Sequence, residues 1–114
     1  MNARNLRKED IEAGIALLEQ QIATARVLLN HRPLNKKMCA DWTADTRNCL
    51  AKIYGPDSPN VRSLETTVGA TPIWMGMPPE VSETYAASRL ERTVSMLESC
   101  TVALKLKAVH PKQA

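Results

Sequence analysis

Three cysteines, two histidines and a pair of aspartates are the residues here whose types could do chemistry. Cys39, Cys49 and Cys100 form an odd set without a C-x-x-C pair, so neither a disulfide framework nor a zinc site is expected. No histidine or acidic partner stands at ligand spacing from Cys39 or Cys49, and both fall where a helical pattern places small core hydrophobes. His31 and His110 sit at the ends of expected helices, where the C-terminal dipole favours an imidazolium. Asp41 and Asp45 are four apart on one helix face, the spacing of paired carboxylates. Lys37, Arg47 and Lys52 on the same helix, however, offer them surface ion pairs. No H-E-x-x-H, G-x-S-x-G, Gly-rich phosphate loop or kinase-type motif occurs. With no nucleophile, base and metal set to assemble, the chain reads as non-enzymatic, with no catalytic residues, cofactor or metal.

The basic residues point to binding. Between His31 and Leu64, six cations (Arg32, Lys36, Lys37, Arg47, Lys52 and Arg62) face three anions (Asp41, Asp45 and Asp57), which accounts for the whole formal charge of +3. That total is too small for a protein held to a long nucleic acid by phosphate neutralisation. A small anion is a better fit. Arg32, Lys36 and Lys37 surround one inter-helix turn, Arg47 follows Trp42 by five positions, and Arg62 lies in a short helix whose free N–H groups begin near Ser58. Arginines beside a helix N-terminus make a competent anion or phosphate site. The candidate ligand-binding set is therefore Arg32, Lys36, Lys37, Trp42, Arg47, Ser58 and Arg62, and ordinary solvated charge is the competing reading of the same residues. A second candidate surface is the stretch Thr71 to Pro79, where Ile73, Trp74, Met75 and Met77 stand among prolines. Loops are usually polar and methionine suits adaptable contacts, so these four residues form either a lid over the core or an interface with an oligomer mate or partner.

Four helices are expected to position these groups. From about Leu6 to Asn30, Ile11, Ile15, Leu18, Ile22, Ala25 and Leu29 recur at spacings of 3 and 4, a sustained helical seam. Asn5 is placed to cap it, and Asn30 to Pro33 end it. Gly14, inside this seam, costs about 1 kcal/mol relative to Ala unless another helix approaches closely. A second helix starts near Leu34 or Asn35 and runs to Tyr54, with Met38, Trp42, Cys49, Leu50 and Ile53 on or near one face. Gly55-Pro56 stops it. Asp57 or Ser58 caps a third helix of about two turns, Pro59 fits its first turn, and Val61 and Leu64 point inward. Val68 to Pro79 reads as a long apolar loop. The last helix, about Glu80 to Val109, carries Ala87, Leu90, Val94, Leu97, Thr101 and Leu104, again at 3 and 4.

Composition agrees with an all-α fold. The 114 residues are 44% hydrophobic but contain no Phe, two Trp and two Tyr, so the core must be aliphatic, which favours helices over a β-sandwich. One domain spanning 1–114 is expected, a helical bundle whose long first and last helices pack together or between chains. No run of about 18 apolar residues occurs, and the first dozen residues mix both charge signs, so a soluble cytoplasmic protein without a membrane partner is expected.

Trp42, Thr46, Leu50, Ile53, Tyr54, Gly55, Ser58 and Val61 read W-x3-T-x3-L-x2-I-Y-G-x2-S-x2-V, followed by a terminal amphipathic helix. This pattern resembles small helical modules found beside TIR-like or nucleotide-sensing effector domains in prokaryotic antiviral defence, and sometimes alone in phage genomes. Members of that group tend to carry Phe where this chain has Tyr54 and Leu64. The resemblance implies an interaction or ligand-sensing module: a phage-encoded counter-defence protein in the host cytoplasm that sequesters a signalling nucleotide or blocks a defence protein. The alternative is a structural assembly protein that forms a homo-oligomer and takes no ligand.

Overall fold

A computed structural model describes residues 7–69 and 76–109. They form four α-helices: α1 (Lys8–Asn30), α2 (Lys36–Tyr54), α3 (Pro59–Gly69) and α4 (Pro79–Val109). The expected all-helical bundle with long first and last helices is the observed fold. No helix among the described residues is long and apolar enough to cross a membrane.

The apolar spacing of α1 and α4 dictates their partnership. α1 buries Ile11, Gly14, Leu18, Ile22, Ala25 and Leu28, while Ile15 and Leu29 lie half-buried beside that line. The buried stripe of α4 contains all six expected residues from Ala87 to Leu104, together with Ser82 and Thr93. The two helices run antiparallel, as their ion pairs Glu19–Lys105, at 2.9 Å, and Arg26–Glu98 require. α2 packs on α1, and α3 bridges α2 and α4. The resulting body is long and thin, 52 × 27 × 18 Å.

Local chemistry sets the helix ends. His31 Nδ1 lies 2.8 Å from the carbonyl of Val27 and Arg32 Nε donates to Leu29, so α1 ends with side chains on its last carbonyls. The Asn35 side chain accepts the Met38 N–H at 2.9 Å and starts α2. Gly55, at φ 107°, closes α2 with its N–H on Ala51, in a region of backbone space that favours glycine. Ser58 Oγ then accepts the Val61 N–H, so it caps α3. The expected Asn5 cap lies outside the described residues.

One expectation is corrected. α3 is not two turns but eleven residues, reaching Gly69; Val61 and Leu64 anchor it in the core, and Glu65, on its outer side, pairs with Arg47 of α2 at 2.9 Å. Met38 is exposed, at the edge of the α2 face that buries Trp42, Thr46, Leu50 and Ile53. The close approach at Gly14 is real: a Cβ there would lie 3.3 Å from Cδ1 and Cγ1 of Ile53.

Where α2, α3 and α4 meet, Tyr54 lies beside Cys100, whose sulfur receives the Asn60 amide at 3.6 Å. Burial first, and then the neighbouring Cys100 thiol, push the Tyr54 phenol well above its ordinary value near 10. Above that value the unfolded chain loses a proton that the folded one keeps, so the folded state loses stability as pH rises. Equilibrium unfolding at pH 8, 9.5 and 10.5 should show this loss, and Tyr54→Phe should make it shallower. An unchanged slope in the variant would remove Tyr54 from the account.

Candidate functional site

α2 and α4 do not pack extensively on each other, and the reason is legible in the residues they turn together. The α2 side offers Lys36, Cys39, Ala40 and Thr43, and the α4 side Ser82, Ala86, Arg89, Leu90 and Thr93. Ser82, Ala86, Arg89 and Thr93 recur at spacings of 4, 3 and 4, a single stripe beside the core stripe of α4. Apart from Leu90 and the two cations, the walls are small side chains. They leave a cleft of about 170 Å³.

The cleft's polar groups divide into donors and acceptors. Thr43 Oγ1 donates to the Cys39 carbonyl and Thr93 Oγ1 to the Arg89 carbonyl, each at 2.9 Å. With those protons committed to the helix backbone, the two hydroxyls can only accept, so they offer an anion no hydrogen bond. Donors come from Lys36 and Arg89, one from each wall, and from the Ser82 hydroxyl. Arg89 Nε itself is enclosed from solvent.

Cys39 is the one thiol on this cleft. Burial raises its pKa, the nearby Glu83 carboxylate raises it further, and Arg89 offsets part of the rise. The thiol therefore stays protonated at neutral pH and is a poor nucleophile as it stands. Burial raises the Cys49 thiol in the same direction. Among the described residues no group of three His, Cys, Asp or Glu side chains is placed to hold a metal ion.

One end of the cleft is held by Glu83. Its carboxylate accepts the Leu34 N–H at 3.0 and 3.2 Å and the Arg32 guanidinium at 3.0 Å, tying the turn between α1 and α2 to α4. The candidate cations are thereby separated. Lys36 lines the cleft, Arg32 is engaged at its end by Glu83, and Lys37 is exposed and paired with Asp41 at 3.0 Å. Arg47, one turn beyond the cleft-lining Thr43, pairs with Glu65 of α3, and Arg62 is exposed on α3. The seven candidates do not converge on one site.

Two of them do other work. Trp42 is buried in the core with its indole N–H donated to the Gln21 carbonyl at 2.8 Å, so it presents no face to a ligand. Ser58 is buried as the α3 cap. Of the apolar loop candidates, Met77 is half-buried just ahead of α4, while Ile73, Trp74 and Met75 lie outside the described residues. Arg89 was missed because Arg89-Leu90-Glu91-Arg92 reads as surface charge. The signal that would have found it is the helical stripe of small polar residues in which it stands.

Fold and cleft together define a small all-α protein with a cleft between two helices lined by two cations and mainly small side chains. No protein-family model matches the chain, and neither a curated protein nor a solved structure matches it significantly. The residues of the W-x3-T-x3-L pattern have local tasks in this structure: Trp42, Thr46, Leu50, Ile53 and Val61 are buried, Gly55 closes α2 and Ser58 caps α3. Each of these roles belongs to a helical corner and none to a ligand.

Proposed function

We propose that the protein is a non-enzymatic binding protein that takes an anionic small ligand into the cleft between α2 and α4. One observation supports this most directly: Lys36 and Arg89, from separate helices, line a single cleft whose other walls are mainly small side chains, more apolar than polar. Sites that enclose a whole drug-sized molecule run to roughly 300–1,000 Å³. A cleft of about 170 Å³ takes one charged group, a phosphate or a carboxylate, and leaves the rest of a larger ligand outside. In the counter-defence reading, a signalling nucleotide would be held by one phosphate in this way, in the host cytoplasm.

Thermal unfolding with inorganic phosphate, pyrophosphate and a panel of linear and cyclic nucleotides tests the proposal. A ligand at 100 times its Kd adds about 2.7 kcal/mol, a shift of several degrees for a chain of this size. The shift should vanish in Arg89→Ala and in Lys36→Ala. No shift with any anion, or one that survives both substitutions, rejects the cleft as the site.

The assembly reading is favoured by a different observation, the large aliphatic side chains that α4 leaves in solvent. On that reading the parent protein is a stable oligomer with or without anions.

A further inference from the structure

Val102, Leu106 and Val109 are 58, 59 and 70% exposed. Their spacings of 4 and 3 make them one ridge along the outer side of α4. Less than a quarter turn around the same helix stand Glu98 and Lys105, which pair with Arg26 and Glu19 of α1. Beyond Glu19 and Arg26, further round α1, the exposed residues from Ala13 to Val27 are Ala13, Ala16, Gln20, Ala23, Thr24 and Val27, a shallow trough of mostly small side chains about four turns long, with Glu9 and Glu12 at its N-terminal end. Ridge, ion pairs and trough therefore lie side by side on one face of the α1/α4 pair. The body behind that face is thin, with a shortest extent of 18 Å.

The ion pairs also set the register. Glu19 is level with Lys105 and Arg26 with Glu98, so each step along α1 is matched by one step back along α4. Val102, Leu106 and Val109 thus stand level with Ile22, Leu18 and Ile15. Those levels fall in the gaps between Ala23 and Gln20, between Gln20 and Ala16, and between Ala16 and Ala13. The ridge is spaced to fit the trough, but the two lie on opposite edges of one molecule and cannot meet within it.

We infer that a second copy of this chain covers the face, related by a twofold axis running along the helices. That operation lays α4 of one protomer over α1 of its partner at the same level. The ridge of each copy then enters the trough of the other, twice over, as an isologous contact requires. Charge agrees with shape, because the same operation sets Lys105 level with the partner's Glu19 and Glu98 level with the partner's Arg26. The inference is independent of whether the α2/α4 cleft takes a ligand.

Sedimentation equilibrium of the full chain over a concentration series is expected to approach a mass of twice 12.6 kDa. Leu106→Glu and Ala16→Glu should each weaken association at least about 100-fold and give monomers. Both positions are exposed, so their helical circular dichroism and melting should stay close to those of the parent. A monomeric parent overturns the inference, as does a dimer that survives both substitutions, which would place the contact elsewhere, for instance at Trp74. Dissociation by Leu106→Glu but not by Ala16→Glu would mean that α4 packs on α4, and would overturn the register.

Discussion

Trp42→Ala is expected to be the most destabilising substitution at any of the residues first marked as ligand-binding. The indole is 3% exposed and packs in the core formed by α1, α2, α3 and α4. Removing a buried Trp side chain costs about 3–5 kcal/mol, partly in lost transfer energy and partly in the cavity left behind. For a domain of this size that lowers the melting temperature on the order of 15–25 °C. Trp42→Phe separates packing from polarity. It keeps most of the ring volume and loses the N–H donated to the Gln21 carbonyl. That carbonyl lies mid-helix and retains its intrahelical partner, so the loss is one net hydrogen bond, about 1 kcal/mol, plus a small packing term. Chemical denaturation of both variants checks the order. A Trp42→Ala protein as stable as the parent would contradict the burial of this residue.

The contrast between Trp42 and Arg89 shows what a linear reading can resolve. Helix boundaries were legible because their causes are local: Asn35 caps α2, Gly55-Pro56 ends it, and Pro59 opens α3. The inner stripes of α1 and α4 were legible because helical periodicity reports a face directly. The far end of α3 was not, since Glu65-Thr66-Thr67 offers no apolar repeat and two β-branched residues; tertiary contacts decide that segment. Thr46 was passed over as a core position because it is polar. It is fully buried because its hydroxyl accepts the Gln21 amide at 2.8 Å, a partner 25 residues away.

The candidate site was legible only by half, for the same reason. Lys36 drew notice as part of a cluster of cations near one turn. A cluster in sequence, however, spreads along a helix and finds other partners: Lys37 pairs with Asp41 and Arg47 with Glu65, while Arg62 is exposed on α3. Convergence depends on which helix comes alongside, and α4 comes alongside through α1, with which it shares its longest apolar seam. Small residues on the facing sides of α2 and α4 are what turn that neighbourhood into a cleft rather than a packed seam.

Glu83→Ala is expected to couple the fold to the cleft. The carboxylate is three-quarters buried and holds the N–H of Leu34, a buried residue, at 3.0 and 3.2 Å. Without it that donor has no acceptor, and a hydrogen bond to a charged group contributes about 1.5–3 kcal/mol. The Arg32 pair adds little, since its guanidinium is half exposed and such pairs are worth about 0–1 kcal/mol. A total loss of about 2–4 kcal/mol follows, together with a looser turn at the end of the cleft. The same substitution removes the negative charge that helps hold the Cys39 thiol above its ordinary range, while leaving the opposing influence of Arg89 in place. Cys39 should therefore react faster with iodoacetamide at pH 8 in Glu83→Ala than in the parent, with the labelled residue identified by peptide mass. Glu83→Gln makes the two effects separable. It keeps an acceptor for Leu34 and recovers part of the stability, yet it lacks the charge, so its thiol should be nearly as reactive as that of Glu83→Ala. If Gln restored the parent's slow labelling, the control of Cys39 would lie in burial alone and Glu83 would serve only to hold the turn.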